Sequence, residues 1–167
     1  MAILHTTLFD TWPIPVAAAP PALLFQVVRG GDAVHIATFT NMRGAGQLPS
    51  TEEFEIHKIY IIPDRQATVL DPVALLHQSL VELRIKERTV FSCPARYLCA
   101  GPAWQGMTVA VAFEAAELIN EPFILDLPLT IPGGVSFVVE CTPSAALFPA
   151  AIFNIVVVLE GYLNTPD

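Results

Sequence analysis

The stretch Val81-Glu82-Leu83-Arg84-Ile85-Lys86 alternates apolar and charged side chains without a break. In extended backbone, successive side chains point to opposite faces, so this hexapeptide offers one face to a core and the other to water. That is the pattern of a half-buried strand in an antiparallel sheet. Downstream, Thr89–Cys93, Arg96–Ala100 and Thr108–Phe113 read as further strands, followed by Pro122–Ile131, Val135–Cys141 and Ile152–Leu163. Pro128 lies inside one of these runs. It cannot donate to a ladder, so that run is expected at a sheet edge or a bulge.

Upstream, Glu53–Ile61 places Phe54, Ile56 and Tyr60 on one side and Glu53, Glu55 and His57 on the other. Lys58 interrupts the apolar side, which points to an edge or a barrel rim. Val34–Phe39 alternates as well, and Ala22–Val28 is a strand stopped by Gly30-Gly31. Turn residues separate the runs at Arg29–Asp32, Asn41–Gly46, Gly101-Pro102 and Pro132–Gly134. Short strands between such turns indicate an all-β sandwich or barrel rather than βαβ units. About eight strands in one domain fit a single jelly roll over residues 22–167. One short helix is expected over Pro72–Ser79, with Asp71 as N-cap and Pro72 at the first helical position; Glu114–Ile119 is a weaker helical segment. Residues 1–21 read as an extended, Pro-stiffened arm. Phe9, Trp12, Ile14 and Val16 would anchor it either on a neighbouring molecule or on its own core.

Composition narrows the function. The chain has 167 residues, of which 53% are hydrophobic and 14% charged. Ordinary domains carry about 25% charged residues. Disorder is excluded by the abundance of apolar side chains. A folded chain of this mass exposes roughly 8,000 Å², and so few charges leave much of that area apolar. Surfaces of that kind mark lasting contacts. The net charge is −8, and every Lys and Arg lies between Arg29 and Arg96. From Tyr97 onward there are seven acids and no base. Direct nucleic-acid binding, which needs clustered cations, is therefore not expected. The N-terminus has no basic region ahead of an apolar run and does not read as a secretory signal. Prolines interrupt both long uncharged stretches, so no membrane-spanning helix is expected.

Residues that could carry chemistry are scattered. His5, His35, His57 and His77 are too far apart for a metal-binding pair, and Cys93, Cys99 and Cys141 form no zinc-like pair. The cysteines read as small buried apolar residues. Arg43-Gly44-Ala45-Gly46 lacks the Lys-Ser/Thr that a phosphate loop needs. Glu52, Glu53 and Glu55 read as a solvated strand face. No enzyme, metal or cofactor is expected. A carbohydrate-binding jelly roll is the alternative, with Trp12 and Trp104 as stacking platforms.

Four segments carry a family resemblance. They are Thr40–Pro49 leading into Phe54-Glu55-Ile56, Leu83–Lys86 leading into Tyr97-Leu98, Leu129–Phe137, and Val156–Leu163. In this order they resemble the single-β-barrel major capsid proteins of tailless icosahedral phages with an internal membrane. The smaller of the two major capsid proteins in the Thermus-infecting group is the nearest fit. The resemblance implies a non-enzymatic virion protein, made in the host cytoplasm, that forms dimers. It also implies assembly with a second, larger single-barrel capsid protein into a shell over the viral membrane. No segment here is long enough to be read as a protruding turret domain, so none is expected. Phe9, Trp12, Ile14 and Val16 on the arm, and Trp104 in its Gly-Pro loop, are the candidate oligomer contacts.

Overall fold

The computed structural model describes residues 2–14, 17, 19–29, 31, 40–63, 76, 78–99, 122–143 and 153–166. Within them, eight strands follow in chain order: β1 (Ala2–Ile14), β2 (Ala22–Leu24), β3 (Glu53–Pro63) and β4 (Leu80–Ile85), then β5 (Arg88–Pro94), β6 (Phe123–Pro132), β7 (Phe137–Thr142) and β8 (Phe153–Thr165). They form two antiparallel four-stranded sheets, ordered β1-β8-β3-β6 and β2-β7-β4-β5. The chain is thus an all-β sandwich, as the alternation predicts.

The stretch Val81–Lys86 behaves as read. Val81 and Leu83 are buried, while Glu82 and Arg84 lie on the other face of β4 and Lys86 sits in the turn to β5. That turn is tight: Lys86 and Glu87 both take the left-handed backbone conformation. Facing β4 across the sandwich, Phe54, Ile56, Ile59 and Ile61 of β3 and Ile155, Val157 and Leu159 of β8 are buried in one apolar core.

The break at Lys58 has a different origin from the one expected. The register of β3 shifts between Ile56 and Lys58 against both of its neighbours. An extra residue in a strand resets the two-residue period. Ile59 and Ile61 therefore return to the core, and Tyr60 faces outward beside Lys58. Nor is β3 at an edge, since it pairs with β8 on one side and β6 on the other. Gly161 sits opposite the irregularity, paired with Ile56. A Cβ on Gly161 would lie 1.9 Å from the Glu55 carbonyl oxygen, so only glycine admits this close approach.

Residues 2–14, expected as an arm, are instead an integral strand. All thirteen pair with β8, from Ala2 opposite Thr165 to Ile14 opposite Phe153. The even-numbered side chains turn inward, and Trp12 and Ile14 are fully buried in the chain's own core. The physical reason is the length of β8. It runs for thirteen residues with β3 on one side, and β1 satisfies the backbone groups of its other side.

Two smaller differences are local. β2 stops at Leu24 because Phe25 has a left-handed backbone (φ 66°). Where a strand is expected over Arg96–Ala100, Ala95–Leu98 is a single 3-10 turn that buries Ala95 and Leu98. Pro128 lies on β6, an edge strand with an irregular register, as its missing donor requires. Of the helix expected over 72–79, only Leu76, Gln78 and Ser79 are described; Leu76 is helical and buried. The strands expected at Val34–Phe39 and Thr108–Phe113, and the segment Glu114–Ile119, lie outside the described residues.

Candidate interaction surface

The two open sides of the sandwich are closed in different ways. On the β1/β2 side the seal is polar. Asp10, buried on the inner face of β1, accepts the backbone N–H of Phe25 through Oδ2 and that of Thr11 through Oδ1 at 2.9 Å. The carboxylate thereby links the edge of one sheet to the chain just after the edge of the other. It also holds Phe25 in its strained conformation, with the ring 5.7 Å from that of Phe137. Hydrogen bonds from backbone amides satisfy a buried carboxylate that would otherwise be costly. Asp10 is therefore explained as a structural tie.

The free edge of β1 is partly covered. Asn41 accepts the Phe9 N–H at 2.9 Å through Oδ1 and donates to the Thr7 carbonyl at 2.6 Å through Nδ2. One side-chain amide thus imitates a short length of strand. On the β5/β6 side the seal is aromatic, with Phe91 and Phe123 meeting edge-on at 5.5 Å.

The outer face of the β1-β8-β3 sheet gathers polar groups that are remote in sequence. Tyr162 lies between two imidazoles, its ring 5.3 Å from His5 and 5.1 Å from His57. His57 Nε2 is 2.8 Å from Glu55, and Glu160 meets Lys58 at 2.8 Å and His5 at 3.3 Å. The Lys58 hydrogen bond is the main reason that the Glu160 carboxyl is held below its ordinary value, assisted by His5. Burial raises the Tyr60 hydroxyl, which also hydrogen-bonds Glu160. Spacing along the chain gives no sign of this cluster; it follows from the register that sets His5, Tyr162 and Glu55 side by side. Among the described residues, no three histidine, cysteine or acidic side chains are placed to hold a metal ion.

The cysteines are all free and buried. Burial pushes the Cys99 thiol up to about 12 and raises those of Cys93 and Cys141 as well, with Asp10 adding to the effect on Cys141. A nucleophilic cysteine requires the opposite shift. A cleft of about 360 Å³ opens beside Arg84, but that guanidinium is already paired with Glu140.

Exposed apolar side chains follow a clear distribution. Ile3 and Leu4 lie on β1, Leu23 on β2, Val90 on β5, and Ile124 and Leu127 on β6. All four edge strands carry at least one, and among the described residues β3, β4 and β7 carry none. Among the described residues Leu127 is the extreme, at 81% exposed.

The predicted contact residues fare unevenly. Trp12 and Ile14 are core residues of their own chain and cannot reach a neighbour. Phe9 is half-buried on the outer face of β1, paired with Val158. Val16 and Trp104 lie outside the described residues. Trp12 is equally unable to stack on a sugar. The aromatics exposed instead are Tyr97, with the Arg96 guanidinium 4.4 Å above its ring, and Tyr162. Ile124 and Leu127 were missed because Pro128 marks an edge or a bulge but not which side chains of the run stand in the open, which the register against β3 decides. The proline was the only available signal of an edge.

No helix among the described residues is long and apolar enough to cross a membrane. No protein-family model, curated protein or solved structure matches this chain.

Proposed function

We propose that this chain is a jelly-roll shell subunit: a non-enzymatic virion protein that tiles edge-on with copies of itself and with a second, larger barrel. The strand pairing supports the jelly-roll reading. The pairs β1·β8, β2·β7, β3·β6 and β4·β5 are those of one long hairpin of eight strands. Rolling that hairpin up adds two further pairs, β3·β8 and β4·β7. Viral capsid domains and lectins both use this topology, so the topology alone does not choose between them.

The observation that carries the choice is the apolar perimeter. Solitary β-proteins guard their edge strands with charge, proline or a covering segment. Here Pro128 on β6 and Asn41 against β1 guard only part of the edges, and Ile3, Leu4, Leu23, Val90, Ile124 and Leu127 are exposed. A tile whose rim meets neighbours needs such edges. Repetition by symmetry lets each contact be weak while the whole shell is strong. In this reading the subunit self-associates in solution into dimers or larger oligomers, and its shell overlies a lipid bilayer.

Sedimentation velocity from micromolar to millimolar concentration, alone and with a co-expressed larger barrel, tests the proposal. Reversible dimers or larger oligomers, and closed particles with the partner, are expected. A chain that stays monomeric throughout and ignores the partner would overturn it.

A further inference from the structure

One sheet is longer than the other, and the overhang leaves a cleft. β1 and β8 each run for thirteen residues, against three for β2 and six for β7. Among the described residues, no strand of the other sheet covers the inward-facing side chains at the far end of β1 and β8. Leu4 is 59% exposed although it belongs to the inner face. Leu4, Leu8 and Leu163 floor a cleft of about 500 Å³, and the turn segments 28–29 and 41–49 wall it. Arg29 and Arg43 also line it, both exposed. Among the described residues neither guanidinium has an ion-pair partner. Among the described residues Glu52 is the one acid on the lining, against two guanidiniums.

The opposite edge of the same sheet has the complementary shape and charge. On β6, Leu129 pairs with Ile56 and Ile124 with Lys58, so Leu125, Asp126, Leu127 and Pro128 stand against His57 alone. The excess backbone bulges away from the sheet. Leu125 packs on the core, while Asp126 and Leu127 are exposed, leaving an acid beside the most exposed large apolar side chain among the described residues. Asp126 has no cation partner among the described residues. The bulge cannot reach its own cleft, because β6 lies three strand spacings from β1, about 14 Å across the sheet.

We propose that the Asp126-Leu127 bulge of one copy docks in the Arg29/Arg43 cleft of the next, joining subunits head to tail. Leu127 covers the apolar floor, and Asp126 meets the guanidinium pair. Each copy offers one bulge and one cleft, so the contact is heterologous: it closes into a ring if the rotation between copies permits and otherwise continues as a chain. This rests on the self-association proposed above and names the surfaces that perform it.

Charge swapping tests it by sedimentation velocity at physiological salt. Asp126→Arg has a basic bulge and a basic cleft; the double variant Arg29→Asp/Arg43→Asp has an acidic bulge and an acidic cleft. Each variant alone should self-associate roughly tenfold or more weakly than the wild type. An equimolar mixture should recover association, because the cleft of the first variant accepts the bulge of the second as in the wild type. The sign for Asp126→Arg is informative. The substitution reduces the net charge from −8 to −6, which by general repulsion alone would strengthen association. All three positions are exposed, so the variants' melting curves should overlay that of the wild type. If Asp126→Arg self-associates as well as the wild type, or the mixture gains nothing, the docking is overturned and the shell proposal stands. A wild type that never self-associates overturns both.

Discussion

Replacing Trp12 with alanine removes an indole that has no solvent exposure and sits on β1 opposite the equally buried Ile155. A fully buried Trp withdraws about 150–250 Å² from water. At about 25 cal/mol per Å² that burial is worth about 4–6 kcal/mol. Large-to-small substitutions of Trp in cores cost about 3–5 kcal/mol, since alanine keeps part of the contact and the cavity closes only in part. With a urea slope near 2 kcal/mol/M for a domain of this size, the midpoint should fall by about 1.5–2.5 M at unchanged slope. A typical domain has about 5–15 kcal/mol in total, so Trp12→Ala approaches the limit of folding. The assay is urea unfolding followed by far-ultraviolet circular dichroism, at a concentration where the wild type is monomeric. If β1 were an arm seated on a neighbour, the monomer's midpoint would not move and only dimerisation would suffer. A midpoint shift below about 0.5 M, or roughly 1 kcal/mol, would refute the placement of Trp12 in its own core.

Three further outcomes are expected. Gly161→Ala places a methyl group on the Glu55 carbonyl and should cost about 3 kcal/mol by thermal or urea unfolding; a cost under about 1 kcal/mol would show that β3 and β8 can separate freely there. Glu160 has its carboxyl held below the ordinary 4.5 in the folded chain, so its contribution is complete above 4.5 and is lost as the pH falls through the lower, folded value. Glu160→Gln should flatten the acid limb of a stability-against-pH curve, and parallel limbs in the two proteins would count against the Lys58 pairing. The three cysteines, whose thiols are raised by burial, should resist an aromatic disulfide reagent at about pH 8 in the native chain and all react once it is unfolded; rapid native labelling of Cys99 would contradict its burial.

The alternation in Val81–Lys86 and the turn residues between runs were enough to establish an all-β domain, because the two-residue period is a property of a single strand. Pro128 announced an edge for the same reason: a missing donor is visible without knowing the partner. Lys58 shows where this reasoning stops. One charged residue out of phase is equally consistent with an edge and with an inserted residue, and only the ladders on both sides of β3 distinguish them.

The first fourteen residues show it again. Their apolar side chains were legible, but whether they belong to an arm or to a strand depends on whether β8, more than 130 residues away, has an unpaired side to offer. The cluster of His5, Tyr162 and His57, the overhanging cleft at Leu4 and the bulge at Asp126-Leu127 are likewise products of register and of unequal sheet lengths. Composition determined that this protein carries more apolar surface than its charges can cover. Tertiary structure alone decided that, among the described residues, the exposed aliphatic side chains lie along the edges, because hydrogen-bond partners in a sheet are chosen across the chain, not along it.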